Sequence, residues 1–312
     1  MSAPYSKALE LAKELVANQT LSSSSLYVIA SPIGNLADVS LRALFVLQQM
    51  DFIACEDTRH TQSLCRSYGL EIPASHWIAV HQHNELEGAQ KVAQVLLGGA
   101  KVAYLSDAGT PGISDPGARL VSAVQARGFR VVPIPGPSSI TTLLSASGAH
   151  SGDDQSFIFI GFLSPKSQMR ARQIQDMAAQ QRCQIILEAP HRILELAKAL
   201  SALNDRVITV GRELTKQFEN ITSMPANLLL PWLMEDANRQ KGEFSLLIHP
   251  LLEPKEDLQM DMKVLTLLLE HLPLKTAVTL CTEITGLPKK ALYAQALKLK
   301  SGAALSDEPS DD

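Results

Sequence analysis

The feature that most constrains the fold is an alternation of short apolar runs with segments of helical periodicity between residues 26 and 147. Apolar runs of four or five residues, rich in β-branched side chains, predict buried strands. The predicted strands are 26–30, 52–56, 78–81, 101–105 and 130–134, and the predicted helices are 39–50, 58–69, 85–98, 116–127 and 137–147. Strands that alternate with helices are typical of a mainly parallel α/β sheet, which binds ligands at the carboxyl ends of its strands.

The second half of the chain repeats this alternation after a polar stretch at 147–156. Its predicted strands are 157–162, 184–188, 206–211 and 244–249, with helical stretches at 168–180, 191–203 and 225–240. A third part has the pattern of three helices, and the Gly-Leu-Pro between the last two predicts a helix-turn-helix. The predicted parts are an N-terminal extension (1–25), an N-terminal α/β domain (26–148), a C-terminal α/β domain (149–252), a helix-turn-helix-like module (258–301) and an acidic tail (302–312).

Local patterns add three smaller predictions. The stretch KALELAKELVA near the N-terminus predicts a short amphipathic helix. Asn84, followed by Glu87 three residues later, predicts a capping arrangement at the start of the helix 85–98. His81 and His83 stand two positions apart beside Gln82 at the end of a predicted strand, and we expect their side chains to point in different directions.

Composition narrows the class of protein. The chain has 312 residues, of which 46% are hydrophobic and 19% charged, as in ordinary globular proteins. No apolar run approaches the roughly 20 residues that span a bilayer, and the N-terminus lacks the apolar core of a signal peptide. The four cysteines form no Cys-x-x-Cys pair, which favours reduced thiols over disulfides or a zinc site. We therefore expect a cytoplasmic protein with no membrane contact and no required metal.

The charge is unevenly distributed. The net charge of −4 gives no overall nucleic-acid footprint. The segment 162–182, however, contains four basic residues and one acidic residue, and the segment 286–301 contains four lysines and no acidic residue. The last ten residues carry four acids. Two basic islands of this kind can bind phosphate, although solvated helix faces explain each island equally well.

Three connections that follow predicted strands have backbones shaped for a ligand. They read SPIGN (31–35), LSDAGTPGISDPG (105–117) and IPGPSS (134–139), and each leads into a helix. Helix starts offer backbone amides and hydroxyls that suit a nucleotide, a ribose or a carboxylate. The chain has neither the G-x-G-x-x-G fingerprint nor a P-loop, which argues against a dinucleotide enzyme and an ATPase.

The amino-acid sequences of these loops are also specific enough to indicate a protein family. Together with CEDTRHT, HQHNE, EAPHR, GRELTKQFE and KGEFSLLI, in this order, they closely resemble the bacterial ribosomal RNA small subunit methyltransferase I family. That family lies within the tetrapyrrole methylase superfamily of class III methyltransferases. The resemblance implies two α/β domains with a cleft for S-adenosylmethionine between them, and a homodimer. It further implies 2′-O-methylation of one cytidine near the decoding centre of small-subunit (16S) ribosomal RNA, with either naked RNA or the assembled 30S subunit as the substrate.

The expected cofactor site combines the resemblance with the loop chemistry. The resemblance aligns Ile33, Asp107, Thr110, Ser139 and Ile140 with cofactor contacts of the superfamily. The tight turn at Gly34, the backbone at Gly109 and the helix start at Ser138 suit the same ligand. For Asp107 an Asx-turn that closes its own loop is the structural alternative, and Asp115 is expected to cap the helix that follows.

Methyl transfer needs an aligned acceptor and a group that takes its proton. The expected catalytic residues are Glu56, Asp57, Arg59 and His83. Other candidates are Asn84, Asp115, Glu188, His191, Arg192, Arg212, Glu213 and Lys216. The structural alternative to a catalytic role is a helix cap for Asp57 or Thr58, and a buried, hydrogen-bonded histidine for His83.

The expected RNA contacts are basic side chains. They are Lys166, Arg170, Arg172, Arg192, Lys216, Lys289 and Lys290. Pairing of Arg192, Arg212 and Lys216 with Glu188, Glu213 or Glu219 is the structural alternative. Two other functions stay open from the sequence: a tetrapyrrole or corrinoid precursor C-methyltransferase on the same fold, and a helix-turn-helix DNA-binding regulator.

Overall fold

A computed structural model describes residues 6–16, 18–149, 156–251 and 255–303. The chain separates into two compact units, Met1–Leu251 and Leu252–Asp312. The polar stretch at 150–155, part of the linker at 252–254 and the acidic tail from 304 onward lie outside the described residues. The domain boundaries within the first unit stay a prediction.

The N-terminal part of the first unit holds a sheet of five parallel strands. The strands are β1 (Ser25–Ile29), β2 (Phe52–Cys55), β3 (Trp77–Ala79), β4 (Lys101–Leu105) and β5 (Arg130–Ile134), in the order β3-β2-β4-β1-β5. The helices are α1 (Ser6–Val16), α2 (Leu41–Gln48), α3 (Thr58–Ser67), α4 (Glu85–Leu97), α5 (Gly117–Gln125) and α6 (Ser139–Ser147). The predicted parallel α/β sheet and the predicted amphipathic helix are confirmed.

Both faces of this sheet are buried, because successive side chains of a strand point to opposite sides. Tyr27 and Ile29 pack in the cluster that contains α2 and α3, whereas Leu26 packs in the cluster that contains α4 and α5. In β4, Val102 and Tyr104 join the second cluster. The runs are therefore continuously apolar, as expected for parallel strands covered by helices on both sides.

The second sheet is mixed. Its strands are β6 (Phe157–Phe162), β7 (Cys183–Glu188), β8 (Val207–Arg212), β9 (Asn220–Pro225) and β10 (Phe244–Ile248), in the order β6-β7-β10-β8-β9. Only β6 and β7 pair in parallel, and the other neighbours are antiparallel. The helices are α7 (Ser167–Ala178), α8 (Ile193–Leu200) and α9 (Leu229–Glu235). The sequence prediction missed β9, and the predicted helix 225–240 is shorter than expected.

One arginine side chain stabilises an end of the second sheet by hydrogen bonds to several carbonyl groups. Arg206, only 8% exposed, donates to the carbonyl oxygens of His249 (2.8 Å), Met177 (3.1 Å), Ala178 (2.8 Å) and Gln180. Burial of the guanidinium lowers its pKa. Carbonyl groups at the end of α7 and beyond β10 thus share one cationic donor, which links these two parts of the fold.

The second unit contains three helices, as predicted. They are α10 (Lys255–His271), α11 (Leu274–Thr285) and α12 (Lys289–Ala303). Gly286, with φ +76°, ends α11 in the left-handed conformation that favours glycine. The helices enclose an apolar cluster of Leu265, Val278, Cys281, Leu292 and Ala296. In the part of the chain that the structure describes, no helix has the length and apolarity that a membrane span requires.

Two local predictions around β3 are wrong. Asn84 makes no side-chain capping bond to α4; its side chain instead accepts from the His81 amide (2.8 Å) and donates to the Ala79 carbonyl (3.0 Å). The strand ends at Ala79, so His81 and His83 lie in a turn, and their rings meet edge to face at 6.0 Å. The alternation of strand side chains therefore does not apply to these histidines.

Candidate functional site

One cleft lies between the carboxyl edge of the first sheet and the second sheet. Its cavity volume is about 120 Å³, and it is partly open to solvent. Its walls mix backbone, hydroxyl and apolar groups. The lining residues are Ile33, Ala108, Gly109, Thr110, Ile113, Ser138, Ser139, Ile140, Leu187, Leu214, Glu243 and Ser245. Six of the eight predicted cofactor residues are therefore in one cavity.

Backbone hydrogen bonds join the first two loops. The amide of Ser31 donates to the carbonyl of Gly109 at 3.0 Å, and the amide of Gly109 donates back at 3.1 Å. The Ser31 hydroxyl donates to the carbonyl of Ser106 at 3.1 Å. Gly109 has φ +79°, a conformation that glycine adopts without strain. The two loops therefore form one wall rather than two separate turns.

The third loop is fastened to the second by a side chain. The Thr110 hydroxyl donates to the carbonyl of Pro137 at 3.0 Å. Ser138 directly precedes α6, yet its side chain makes no capping bond to that helix. The hydroxyl of Ser138 thus stands at a cavity wall and a helix N-terminus, where it and the backbone amides can face a ligand.

The two aspartates of the second loop have different positions. Asp107 is exposed and does not line the cavity; its carboxylate accepts from the Asp57 amide at 3.2 Å. That bond joins the ends of β2 and β4, so it is not an Asx-turn within the loop. Asp115 accepts from the amides of Gly112 (2.8 Å) and Gly117 (2.6 Å), which fixes the loop at the start of α5.

The opposite wall comes from the second sheet and was not predicted. Leu187, Leu214, Glu243 and Ser245 line it. Gly34 does not line the cavity but lies against the loop that carries Leu214, whose carbonyl oxygen would be 2.9 Å from a Cβ at Gly34. The motif GRELTK, noted for its resemblance, was the available signal for this wall, although it did not indicate which residue faces the cavity.

The expected catalytic residues lie near this edge but outside the cavity lining. Glu56 follows β2 and is partly buried; burial, with the nearby charges of Asp107 and Asp115, raises its pKa. Asp57 caps α3 by accepting from the Arg59 amide at 2.8 Å, and it also pairs with the Arg59 guanidinium. These bonds, with the side-chain bond to Arg59 first, lower the pKa of Asp57. The cap interpretation of Asp57 is thus confirmed.

The basic residues expected to contact RNA fall into three groups. Lys166, Arg172, Lys289 and Lys290 are exposed. Arg170 is a correction: it is 6% exposed and pairs with Glu195 at 3.3 Å, so it is not available on the surface.

The third group is bound within the protein. Arg192 pairs with the buried Glu188 at 3.2 Å, and Lys216 pairs with Glu213 at 2.8 Å. Arg212 donates to the carbonyls of Lys241 and Phe218. The alternative of pairing with carboxylates is confirmed for Arg192 and Lys216, whereas Arg212 binds carbonyl oxygens instead. Within the described ranges, no group of three or more His, Cys, Asp or Glu side chains is placed to hold a metal ion.

Comparisons of structure agree with the fold. A cobalamin biosynthetic enzyme, cobalt precorrin-4 methyltransferase, is similar with a TM-score of 0.52 and 16% identity, covering 72% of this chain and 95% of that chain. A uroporphyrin-III-C-methyltransferase from Thermus thermophilus is similar with a TM-score of 0.52 and 17% identity, covering 72% and 94%. At these identities the likeness shows the fold alone.

Comparisons of sequence go further. The family described as Tetrapyrrole (Corrin/Porphyrin) Methylases matches residues 25–229, and the family described as RsmI C-terminal HTH domain matches residues 257–300. Proteins named ribosomal RNA small subunit methyltransferase I are similar: that of Vibrio cholerae is 45% identical over 88% of this chain and 94% of its own length. That of Pseudomonas aeruginosa is 43% identical over 89% and 98%. This chain therefore belongs to the tetrapyrrole methylase family and, within it, to the ribosomal RNA small subunit methyltransferase I family of methyltransferases.

Proposed function

We propose that this protein transfers the methyl group of S-adenosylmethionine to the ribose 2′-oxygen of a cytidine near the decoding centre of small-subunit ribosomal RNA. The observation that carries the proposal is the cleft at the carboxyl edge of the first sheet, where loops from three strands converge. The names of the relatives support ribosomal RNA as the substrate. The basic residues Lys166 and Arg172, both exposed, support an RNA surface on the same unit.

The lining fits the proposed cofactor. Ile33, Ile113, Ile140 and Leu214 supply apolar surface for a planar base, and the serine hydroxyls with the Ala108–Thr110 backbone supply polar partners. A Cβ at Gly109 would lie between Ile33 Cγ2 (3.4 Å) and the Pro137 carbonyl oxygen (3.8 Å), so glycine keeps this part of the cradle open. When bound, S-adenosylmethionine supplies an activated methyl group; the protein's task is to align the acceptor and remove its proton.

Glu56 is the best-placed proton acceptor among the expected catalytic residues. Asp57 is held by its bonds to Arg59, and a guanidinium stays protonated and cannot act as a base. Glu56 directly follows β2, which pairs with β4, so this residue is at the sheet edge where the cofactor loops begin. A carboxyl group whose pKa is raised accepts a proton more readily once ionised.

The remaining parts of the proposal concern the assembly. The exposed Lys289 and Lys290 at the start of α12 suit RNA phosphate. We propose a homodimer in the cytoplasm that acts on the assembled 30S subunit. A ribose within folded RNA must be presented to the cleft with its base unstacked, which basic surfaces around the cleft would favour.

A methyl-transfer assay tests the function directly. The purified protein and labelled S-adenosylmethionine are incubated in three parallel reactions, which contain unmodified 30S subunits, naked 16S RNA or a uroporphyrinogen-type precursor. The label is then located by nuclease digestion and mass spectrometry. We expect label on one cytidine ribose. Label on the tetrapyrrole carbon alone, or on no ribose, refutes the proposal.

A binding measurement tests the site. A Ser138→Ala variant is compared with Ser63→Ala, which changes an exposed serine of α3, by calorimetry with S-adenosylmethionine. We expect weaker binding only for Ser138→Ala, by about five- to tenfold for one lost hydrogen bond. Equal affinity of both variants and the wild type removes Ser138 from the site.

A further inference from the structure

We propose that Lys216 is a positioning residue that holds the second-sheet wall of the cleft in place, rather than an RNA contact. The wall segment is the loop between β8 and β9, residues 213–219, here called the β8–β9 loop. The inference rests on the proposed function, because it takes the cleft to be the site of S-adenosylmethionine.

Lys216 lies at the centre of an ion network. Its ammonium nitrogen donates to Glu213 Oε1 at 2.8 Å and to Glu243 Oε2 at 3.1 Å. Glu213 Oε1 also accepts from the Glu243 amide at 2.9 Å, and the Glu213 amide donates to the Glu243 carbonyl at 3.0 Å. The network therefore joins the β8–β9 loop to the segment before β10 by one cation, one amide–carboxylate bond and one main-chain bond.

The charges of this network depend on one another. Burial alone would lower the pKa of Lys216, but its bonds to Glu213 and Glu243 raise it. Burial alone would raise the pKa of Glu213, but the bond from Lys216 and the Glu243 amide lower it. The Lys216 side chain is 28% exposed, so its charge is partly withdrawn from water and occupied by carboxylates that an RNA phosphate would have to displace.

The β8–β9 loop needs such support because its backbone is strained. Glu213 and Thr215 have φ of +52° and +66°, a region that residues other than glycine rarely adopt because it strains their backbone. The Thr215 amide donates to Glu219 Oε2 at 2.6 Å, which fixes the second of these residues. Side-chain bonds to charged groups thus hold a conformation that the backbone alone disfavours.

The same loop forms part of the cavity. Leu214 lies between the two strained residues and lines the cleft, and Glu243 lines it as well. On the other side, Lys216 Cγ and the Leu214 carbonyl lie against Gly34 in the first loop. Lys216 therefore contacts both the β8–β9 loop and the first loop: its ammonium binds Glu213, the residue before Leu214, and its aliphatic stem packs against Gly34.

Three variants test the inference against RNA contact. Lys216→Met keeps the aliphatic stem and removes the cation; Glu243→Gln keeps an acceptor but removes the charge. The matched control is Lys91→Met, which breaks the exposed Lys91–Glu87 pair (2.7 Å) on α4. Wild-type calorimetry with S-adenosylmethionine comes first, because failure to bind there refutes the proposed function and not this inference.

With the wild type bound, we expect Lys216→Met to weaken S-adenosylmethionine binding about tenfold, within the usual range for coupled sites. Its KM for the cofactor should rise while kcat at saturating cofactor changes less than threefold. Glu243→Gln should show a smaller loss of affinity, and Lys91→Met none. Circular dichroism and urea unfolding confirm that each variant is folded.

The inference is overturned by a folded Lys216→Met protein with unchanged cofactor affinity. If that protein also binds RNA more weakly, with a salt dependence of log K reduced by about one, Lys216 is instead a phosphate contact.

Discussion

Adding one methyl group at Gly34 is the sharpest test of the contact between the two walls of the cleft. A Cβ at this position would lie 2.9 Å from both the Leu214 carbonyl oxygen and Thr215 Oγ1, and closer still to Lys216 Cγ. Ordinary contact begins at 3.4 Å, so the backbone oxygen would have to move by about 0.5 Å. The lysine stem can rotate away, but the carbonyl belongs to the strained β8–β9 loop and cannot move alone.

The expected cost of Gly34→Ala follows from this geometry. Extra methyl groups in a packed contact cost about 1–3 kcal/mol. If the loop keeps its position, the free energy of unfolding falls by that amount; if the loop moves away, S-adenosylmethionine affinity falls about 5- to 140-fold instead. Urea unfolding and calorimetry on the same preparation separate the two routes.

The control for Gly34→Ala is Gly98→Ala. Gly98 ends α4 with φ −73°, and an added Cβ would meet only the Val95 carbonyl oxygen at 3.4 Å. We expect its stability to be unchanged or to rise by about 0.5 kcal/mol. If Gly34→Ala matches the wild type in both stability and cofactor affinity to within about 0.5 kcal/mol, the two walls are not in tight contact and the reasoning is refuted.

Thr110→Val removes the hydroxyl that donates to Pro137, so we expect a loss of about 1–2 kcal/mol in unfolding free energy and weaker cofactor binding, both largely restored in Thr110→Ser. Glu56→Gln removes a carboxyl group whose pKa in the folded state is raised by burial and by Asp107. Ionisation of this group therefore lowers the free energy of unfolding. That loss is absent at a pH below the ordinary carboxyl pKa and complete at a pH above the raised pKa. Urea unfolding should therefore find the variant more stable than the wild type at pH 7 but not at pH 4, while methyl transfer falls about 10²- to 10⁴-fold; equal pH dependence contradicts the burial argument. Arg206→Met removes a charged donor that four carbonyl groups share and should lower the unfolding free energy by about 3 kcal/mol or more, measured by urea unfolding, with unchanged cofactor affinity of the folded fraction.

The first sheet could be predicted from the sequence because each of its strands and helices is marked by a pattern within a short stretch of residues. Parallel strands covered on both faces are short and wholly apolar, and the helices between them keep a regular period. The loops at their ends are rich in glycine, proline and small polar residues, so the wall that contains Gly109, Thr110 and Ser138 could be predicted too. Arg170 is an avoidable error: it shares one face of α7 with Ile174 and Met177, at spacings of four and seven, and that face is buried.

Predicting the second wall required contacts that no local pattern encodes. Leu187 and Ser245 are strand residues of ordinary type, and they face the cavity only because β7 and β10 pair as neighbours. Asp107 was placed in the cavity by resemblance, whereas the structure has it exposed, with its carboxylate on the Asp57 amide. The direction of a side chain at a strand end depends on the loop that follows, which the sequence pattern does not specify.

The missed strand β9 and the missed wall have a common physical origin. Half of the residues of β9 are polar, so neither hydrophobic alternation nor an apolar run marks it, and its pairing with β8 is what creates the β8–β9 loop. That loop turns through Glu213 and Thr215 at positive φ, where sequence rules expect glycine or asparagine. Local preference and native conformation therefore disagree at this turn, and the charged bonds of Lys216 supply the stabilisation that the backbone lacks. Such disagreement is expected where a segment is shaped for a ligand rather than for its own stability, and it coincides here with the residue, Leu214, that lines the cleft.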